Sequence, residues 1–539
     1  MLLLELLLVF QYILGITATI LLPITPTKGG VVPLPQKSET YRDFFVIRPS
    51  VFRFKVTGYS CSILDEATIR YWILISESFS YFDLEKKSQL HKKIWKENVN
   101  YLGLLDSLSV HLENDCTNDE MPHLHMNENY TIQLDQTQQV IRSSSVWGIL
   151  RGLETFSQLI YKADDTYTLI VNSTKITDFP RFSHRGLLLD TARHFIPMRL
   201  ILKTLDAMSF NKLNVFHWHI VDDQSFPYKS SKFPDLSDKG AYHPEAAVYN
   251  PEDVEKVISY ARKRGIRVVV EFDTPGHTLS WGNGIKNILT ECVGIADKFG
   301  PMDPSKPKLY QFLNDFFQEI SEVFPERYVH LGGDEVPFDC WESNPNISQF
   351  MKSLNLTDYS DLEGYYINKL IDLVTKKKLN SIVWEEVFDN GVELSDSTIV
   401  HVWKGDFNTT LYKVTEARKK ALLSSCWYLD HLGGVQDWIN YYRCDPYDFS
   451  GSDEQKNLIL GGEACMWSEA VNEYNVMSRV WPRACAAAEK LWSSITPRDN
   501  TTITPAQIEN MGSRLEEHTC RMNRRGIEAE PPNWPSYCY

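Results

Sequence analysis

Two carboxylates, Asp334 and Glu335, stand side by side in the stretch VHLGGDEV (329–336), behind a Gly-Gly pair and at the end of an apolar run. Charge at the end of a buried strand is costly unless it is partnered or used. A strand-end cap would not require the two glycines, which let backbone or ligand approach closely. The pair therefore reads as a centre for acid–base chemistry.

Other reactive or sugar-facing side chains recur where similar apolar runs end. The first run carries Arg185 and Asp190, then Arg193 and His194. The second ends in His217, His219, Asp222 and Asp223, and the third in Asp273 and His277. The fifth carries Trp384, Glu385 and Glu386, and the sixth Trp403. The seventh carries Trp427, Tyr428 and Asp430, and the eighth Glu463, Trp467 and Glu469. Together they describe an aromatic-walled cup lined by acids. Such a cup suits a pyranose, whose C–H faces pack on tryptophan while its hydroxyls donate to carboxylates. His217 and His219 read as core or supporting groups, and Glu385 and Glu386 as ion-pair partners. Asp222-Asp223 can equally be a cap. There is no glycine-rich phosphate loop and no Cys/His spacing of a zinc site, so no metal or cofactor is expected.

The elements that must position these groups alternate in type. From about Arg185 onward, eight β-rich apolar runs (185–190, 213–223, 266–277, 328–335, 380–388, 397–405, 421–430 and 458–467) are mostly followed by amphipathic helical stretches. This alternation predicts an α/β fold, a (β/α)8 TIM barrel whose active site lies at the C-terminal strand ends. A doubly wound sheet is the alternative, weakened by the lack of G-x-G-x-x-G after the first strand. Residues 23–178 read as a smaller α+β domain with one clear helix over 143–162. The catalytic barrel with its tail takes 179–539, with a break near Pro180.

The 539 residues carry a formal net charge of −15, which argues against a nucleic-acid partner. The first 22 residues form an apolar segment without a basic start, expected to be a signal peptide. Export is also suggested by six N-x-S/T sequons, at Asn129, Asn172, Asn346, Asn355, Asn408 and Asn500, and by ten cysteines, several of which should pair in an oxidising compartment. No other run is long enough to span a bilayer.

The blocks FSHRGLLLDTARHF, NVFHWHIVDDQSFP, EFDTPGHTLSW, VHLGGDEV, VWEEVFD, WYLD and GGEACMWSE, in this order, resemble the β-N-acetylhexosaminidases of glycoside hydrolase family 20, most closely the lysosomal hexosaminidase subunits of animals. Most retaining glycosidases hold two carboxylates about 5–5.5 Å apart across the scissile bond, a geometry that adjacent residues do not easily reach; this family instead uses the substrate's own acetamido oxygen as nucleophile. The resemblance implies an exo-acting enzyme releasing terminal GlcNAc or GalNAc. Glu335 is then the general acid and base, its pKa raised by the neighbouring anion, and Asp334 orients the acetamido N–H. Tyr428 donates to the acetamido oxygen. Trp384, Trp403 and Trp467 wall the pocket. Arg185, Glu469 and Asp430 hold hydroxyls, His277 bonds to the acid, and Asp222 supports it.

The resemblance also implies disulfides Cys61–Cys116, Cys292–Cys340 and Cys520–Cys538, leaving Cys426, Cys444, Cys465 and Cys485 free or buried. It further implies a homodimer and a lysosomal or secreted location. Ser468 departs from the glycine of the animal subunits. Asp430-His431 stands where one form of those subunits carries Asn-Arg and accepts sulfated substrates. A non-catalytic sugar-binding protein on the same scaffold is the competing expectation, as is a hexosaminidase acting on chitooligosaccharides or N-glycans.

Overall fold

A computed structural model of the chain describes residues 24–77, 98–163, 168–494, 503–536 and 538. The proposed signal peptide and the Asn500 sequon lie outside them. The eight runs become the eight parallel strands of a closed barrel: β1 (His184–Asp190), β2 (Val215–His219), β3 (Arg267–Glu271), β4 (Tyr328–His330), β5 (Asn380–Trp384), β6 (Ile399–Val402), β7 (Lys420–Leu423) and β8 (Ile459–Met466). Apart from β1, the strands are shorter than the runs, because those runs continue into the loops that carry the site. The run at 380–388 turns helical at Glu385.

Inward positions alternate along each strand, and the barrel fills in layers. At the bottom, Val215, Val269, Ile382, Ile399, Leu422 and Leu460 pack with Leu124 of the preceding domain. At the top, Leu188, Trp384, Cys465 and Trp467 pack with Trp403 and Tyr428. Between them lies a charged lattice. His217 reaches Glu463 at 2.7 Å and Glu271 at 3.0 Å, His219 reaches Glu271 at 2.7 Å, and His330 reaches Glu271 at 3.1 Å. His217 and His219 are thus core groups, as their flanking of Trp218 suggested.

Ahead of the barrel, eight strands between Lys37 and Asp178 form a mixed sheet. Among the described residues, the helices Ser62–Glu77 and Val146–Leu159 lie on it. The first escaped the sequence reading, which recognised one helix here. The second is buried along its whole length, with Ser145 capping its first turn by accepting from the Trp147 N–H. It is clamped between sheet and barrel, where Arg151 donates to the carbonyls of Arg264 and Gly265. After β8 the chain forms two helices, Val476–Val480 and Arg483–Trp492. Pro482 divides them, because its ring cannot sit in a helix interior. The helix Pro505–Arg524, opened by a Thr504–Gln507 capping box, returns to the domain junction, where Arg521 donates to Gln158 and Arg525 pairs with Glu154. Among the described residues, no helix is long and apolar enough to cross a membrane.

Four disulfides are present: Cys61–Cys116, Cys292–Cys340, Cys426–Cys444 and Cys520–Cys538. The expectation that Cys426 and Cys444 stay unpaired is therefore corrected; the loop after β7 brings them together. Cys465 and Cys485 are free and buried. Of the sequons, Asn129, Asn346, Asn355 and Asn408 are exposed, whereas Asn172 is half-buried and donates to the Tyr41 carbonyl.

Candidate active site

The Gly-Gly pair shapes the turn after β4. Gly332 and Gly333 have φ of 72° and 95°, and Glu335 itself has φ of 49°. A Cβ on Gly332 would lie 1.6 Å from Asp273 Oδ1, and one on Gly333 2.4 Å from Val387 Cγ2. No side chain fits at either position. Glu335 holds a left-handed backbone at a cost of order 1–3 kcal/mol, which points its carboxyl to the mouth. Asp334 is buried below it, and the Glu335 side chain is 61% exposed.

His277, from the loop after β3, faces both acids: its Nε2 is 3.6 Å from Asp334 and 3.5 Å from Glu335, while Nδ1 is 3.2 Å from Asp222 Oδ1. Burial opposes an imidazolium here, but Asp334 foremost, with Asp222 and Glu335, outweighs it and raises the His277 pKa. For Asp222, burial is outweighed by His219 and His277, which hold its carboxyl below the usual range. Asp334 is shifted up, chiefly by burial, with His277 opposing. Glu335 is shifted down, chiefly by the His277 imidazole 3.5 Å away. The rise expected for Glu335 from the Asp334 anion is thus corrected: at an open mouth, the cation beside it dominates.

The arginine of the cup is Arg193. Its guanidinium lies 3.2 Å from Asp190, 2.8 Å from Asp222 and 3.7 Å from Glu469, and 5.1 Å from the Trp467 ring. Its buried Nε has no hydrogen-bond partner. Arg185, expected to hold sugar hydroxyls, starts β1 at the opposite end of the barrel. It is fully buried, paired with Glu128 at 2.6 Å, and donates to the carbonyls of Lys212 and Phe182. That expectation is corrected, since only the C-terminal strand ends open into the cup. Glu128 also binds Arg151 at 2.8 Å, so Arg185 ties the two domains together. Removing one partner of a buried ion pair typically costs about 3–5 kcal/mol. Arg185→Ala is expected to lower the unfolding free energy by about that amount, seen as a lower urea midpoint, and leave the kcat of folded enzyme within a few-fold. Arg193→Ala also loses buried ion pairs and is expected to lower kcat in addition to stability; paired urea melts and steady-state assays separate the two variants.

Aromatic residues form the walls. Trp384 stacks on His401 at 4.3 Å and donates to Glu271 at 2.8 Å. Trp403 stacks on Tyr428 at 6.0 Å, and Tyr428 lies 6.3 Å from Trp467. The adjacent acids hold the Trp403 wall: Glu385 accepts its backbone N–H at 2.9 Å and Glu386 its indole N–H at 2.8 Å, with Lys404 3.3 Å from Glu386. Asp430 faces the same cup with one buried oxygen unpartnered, and His431 approaches it at 3.6 Å. Asp223 accepts the Leu279 N–H at 2.8 Å, which ties the loop after β2 to the loop after β3.

Among the described residues, three groups of acids and histidines could bring ligand atoms within metal-binding reach: His217, His330 and His401; Asp222, Asp223 and His277; and Asp273, His277 and Asp334. In the first, the His217 and His330 rings stack at 30° rather than converge, and His217 is taken up by Glu463 and Glu271. The other two groups lie within the ion-pair set already described.

A barrel whose mouth joins adjacent carboxylates, a histidine–aspartate pair, a buried arginine and aromatic walls defines a sugar-cleaving hydrolase. Residues 182–495 match the catalytic domain of glycosyl hydrolase family 20, and residues 31–159 match a beta-acetyl hexosaminidase-like domain. The chain is 45% identical to the mouse beta-hexosaminidase subunit beta over 99% of its length and 97% of that protein. It is 46% identical to the rat subunit alpha over 93% of each. A chitobiase of Flavobacterium johnsoniae superposes with a TM-score of 0.78 at 30% identity, covering 92% of this chain and 73% of that one. The chain belongs to glycosyl hydrolase family 20, and its reaction is that of a β-N-acetylhexosaminidase.

Proposed function

We propose that the enzyme removes terminal, non-reducing GlcNAc and GalNAc by substrate assistance, with each role carried by a residue of the cup. Asp334 accepts the acetamido N–H and balances the positive charge that grows on its nitrogen as the acetamido oxygen attacks the anomeric carbon. Tyr428 donates to that oxygen. Glu335 gives its proton to the leaving oxygen, then takes one from the water that opens the oxazolinium ion. His277, backed by Asp222, holds Glu335 in place. Trp384, Trp403 and Trp467 enclose the acetamido methyl and the ring, while Arg193, Glu469 and Asp430 hold hydroxyls. The observation that carries this reading is the depth difference between neighbours, a buried Asp334 and a 61% exposed Glu335. One is placed for a group inside the pocket, the other for a leaving group at its mouth. The test is release of chromophore from β-N-acetylglucosaminides and β-N-acetylgalactosaminides without cleavage of the matching β-glucoside. Appreciable β-glucosidase activity would sink the reading, and absence of all hydrolysis would favour a non-catalytic sugar-binding protein.

Homodimerisation is part of the proposal, checked by light scattering on the purified chain. A secreted or lysosomal location is also proposed, supported by four disulfides, which persist in oxidising compartments.

Asp430 makes charge selectivity a further expectation. Its carboxylate accepts a neutral 6-hydroxyl and repels a 6-sulfate. Burial shifts its pKa up, with His431 opposing, so acid removes the negative charge. Neutral GlcNAc is expected to outrun 6-sulfo-GlcNAc in kcat/KM at every pH from 4 to 6, by the widest margin at pH 6. Equal or faster cleavage of the sulfated sugar at pH 4–5 would mean that His431 governs the site.

A further inference from the structure

Asp273 is a buried acid that the roles above leave unused. It stands two residues beyond the end of β3 and is 1% exposed. Its Oδ1 accepts the Gly333 N–H at 3.0 Å, inside the turn that carries Asp334, and the missing Cβ of Gly332 is what makes room for it. Its Oδ2 is buried without a hydrogen-bond partner, and so is Oδ1 of Asp334. The two carboxyls and His277 bring oxygen and nitrogen atoms within 4.8 Å of one another.

Two ionised carboxylates are acceptors only and cannot bond to each other. One proton between them satisfies both orphaned oxygens and removes a like-charge clash. We propose that Asp273 is a positioning residue that stays protonated and donates to Asp334, fixing that carboxylate where the substrate's acetamido N–H arrives. The idea rests on the reading of Asp334 given above.

The surroundings place the proton on the Asp273 side. Asp273 is enclosed, and the charged or titratable groups facing it are Asp334 from the β4 turn, Glu271 and His277 from its own segment, His219 from β2 and Tyr366 from the helix Tyr359–Lys376. Burial first, then Asp334, pushes its carboxyl far above the usual range against the opposing histidines. Asp334, by contrast, lies 3.6 Å from the His277 imidazole, which favours its anion. The protonated carboxyl on one side and the imidazole on the other then hold Asp334 against rotation, and its remaining lone pairs are left for the substrate.

The test compares Asp273→Asn with Asp273→Ala in the full-length enzyme. The amide keeps the shape, a donor and zero charge. Asp273→Asn is expected to keep kcat within about tenfold of wild type with a coincident pH profile of kcat/KM. Asp273→Ala is expected to lower kcat roughly 100-fold, the scale of a 1 Å misplacement in a catalytic centre. It should also weaken an N-acetylglucosamine thiazoline more than about tenfold, while an iminosugar lacking the N-acetyl group binds within about twofold of wild type. A purely structural role would weaken both ligands alike.

Asp273→Asn losing about 100-fold, or showing a profile displaced by a pH unit, would overturn the proposal, because the residue would then be needed as an anion. Equal weakening of both ligands in Asp273→Ala would overturn it too. If the alanine variant does not fold, kcat and the pH profile of Asp273→Asn alone decide. A wild type that the thiazoline does not inhibit would instead refute the role given to Asp334.

Discussion

Glu335→Gln is expected to lower turnover of an unactivated disaccharide by at least the roughly 10²–10⁴-fold that general acid catalysis supplies, with substrate still bound. The amide keeps the shape but has no proton to give. At 61% exposure the side chain contributes little to the core, so stability should be nearly unchanged. The pH dependence carries a sign. His277 holds the Glu335 carboxyl below its usual range, so the free enzyme loses its acid form early as pH rises. The alkaline limb of kcat/KM should therefore lie in the acid range and move upward in His277→Ala, which removes the cation. A bound aglycone expels water from the carboxyl and disfavours its anion, so the limb of kcat should lie at higher pH than that of kcat/KM. Turnover by Glu335→Gln within a few-fold of wild type would mean that the acid is another residue.

Asp334→Asn is expected to cost about 10²–10³-fold in kcat, the scale of losing one preorganised charge-stabilising group. The loss should be nearly independent of the leaving group, because Asp334 acts on the acetamido nitrogen and not on the departing oxygen. Glu335→Gln should differ here: an activated nitrophenyl leaving group needs little protonation and should recover part of its rate. Kinetics of both variants on a nitrophenyl glycoside and on a disaccharide separate the two roles. Equal recovery in both variants would show that the two neighbours do not divide the work as proposed.

The barrel was legible because parallel strands covered on both faces read as unbroken apolar runs. Its chemistry was legible because each run ended in the polar residues of the mouth. Arg185 and Arg193 show where such reading fails. Both lie in one motif block, but Arg185 opens β1 and Arg193 follows its end. The strand-end rule alone favours Arg193, and the resemblance carried the role to the wrong arginine. The true partner of Arg185, Glu128, comes from the other domain 57 residues away, a contact that no local pattern records. The direction in which Glu335 is shifted escapes local reading for a related reason. Its neighbour in sequence is an acid, whereas the group that dominates it, His277, arrives from another strand. The Cys426–Cys444 bond likewise depends on how the loop after β7 folds back.

Hydrolysis of a series of β-glucosaminides with successively fluorinated N-acyl groups tests most directly whether the substrate supplies its own nucleophile. Fluorine withdraws electron density from the acyl oxygen and leaves the anomeric carbon and leaving group otherwise unchanged. The account predicts that kcat/KM falls steeply at each step from acetyl to trifluoroacetyl. A flat series, with a glycosyl ester trapped on a protein carboxylate, would contradict it.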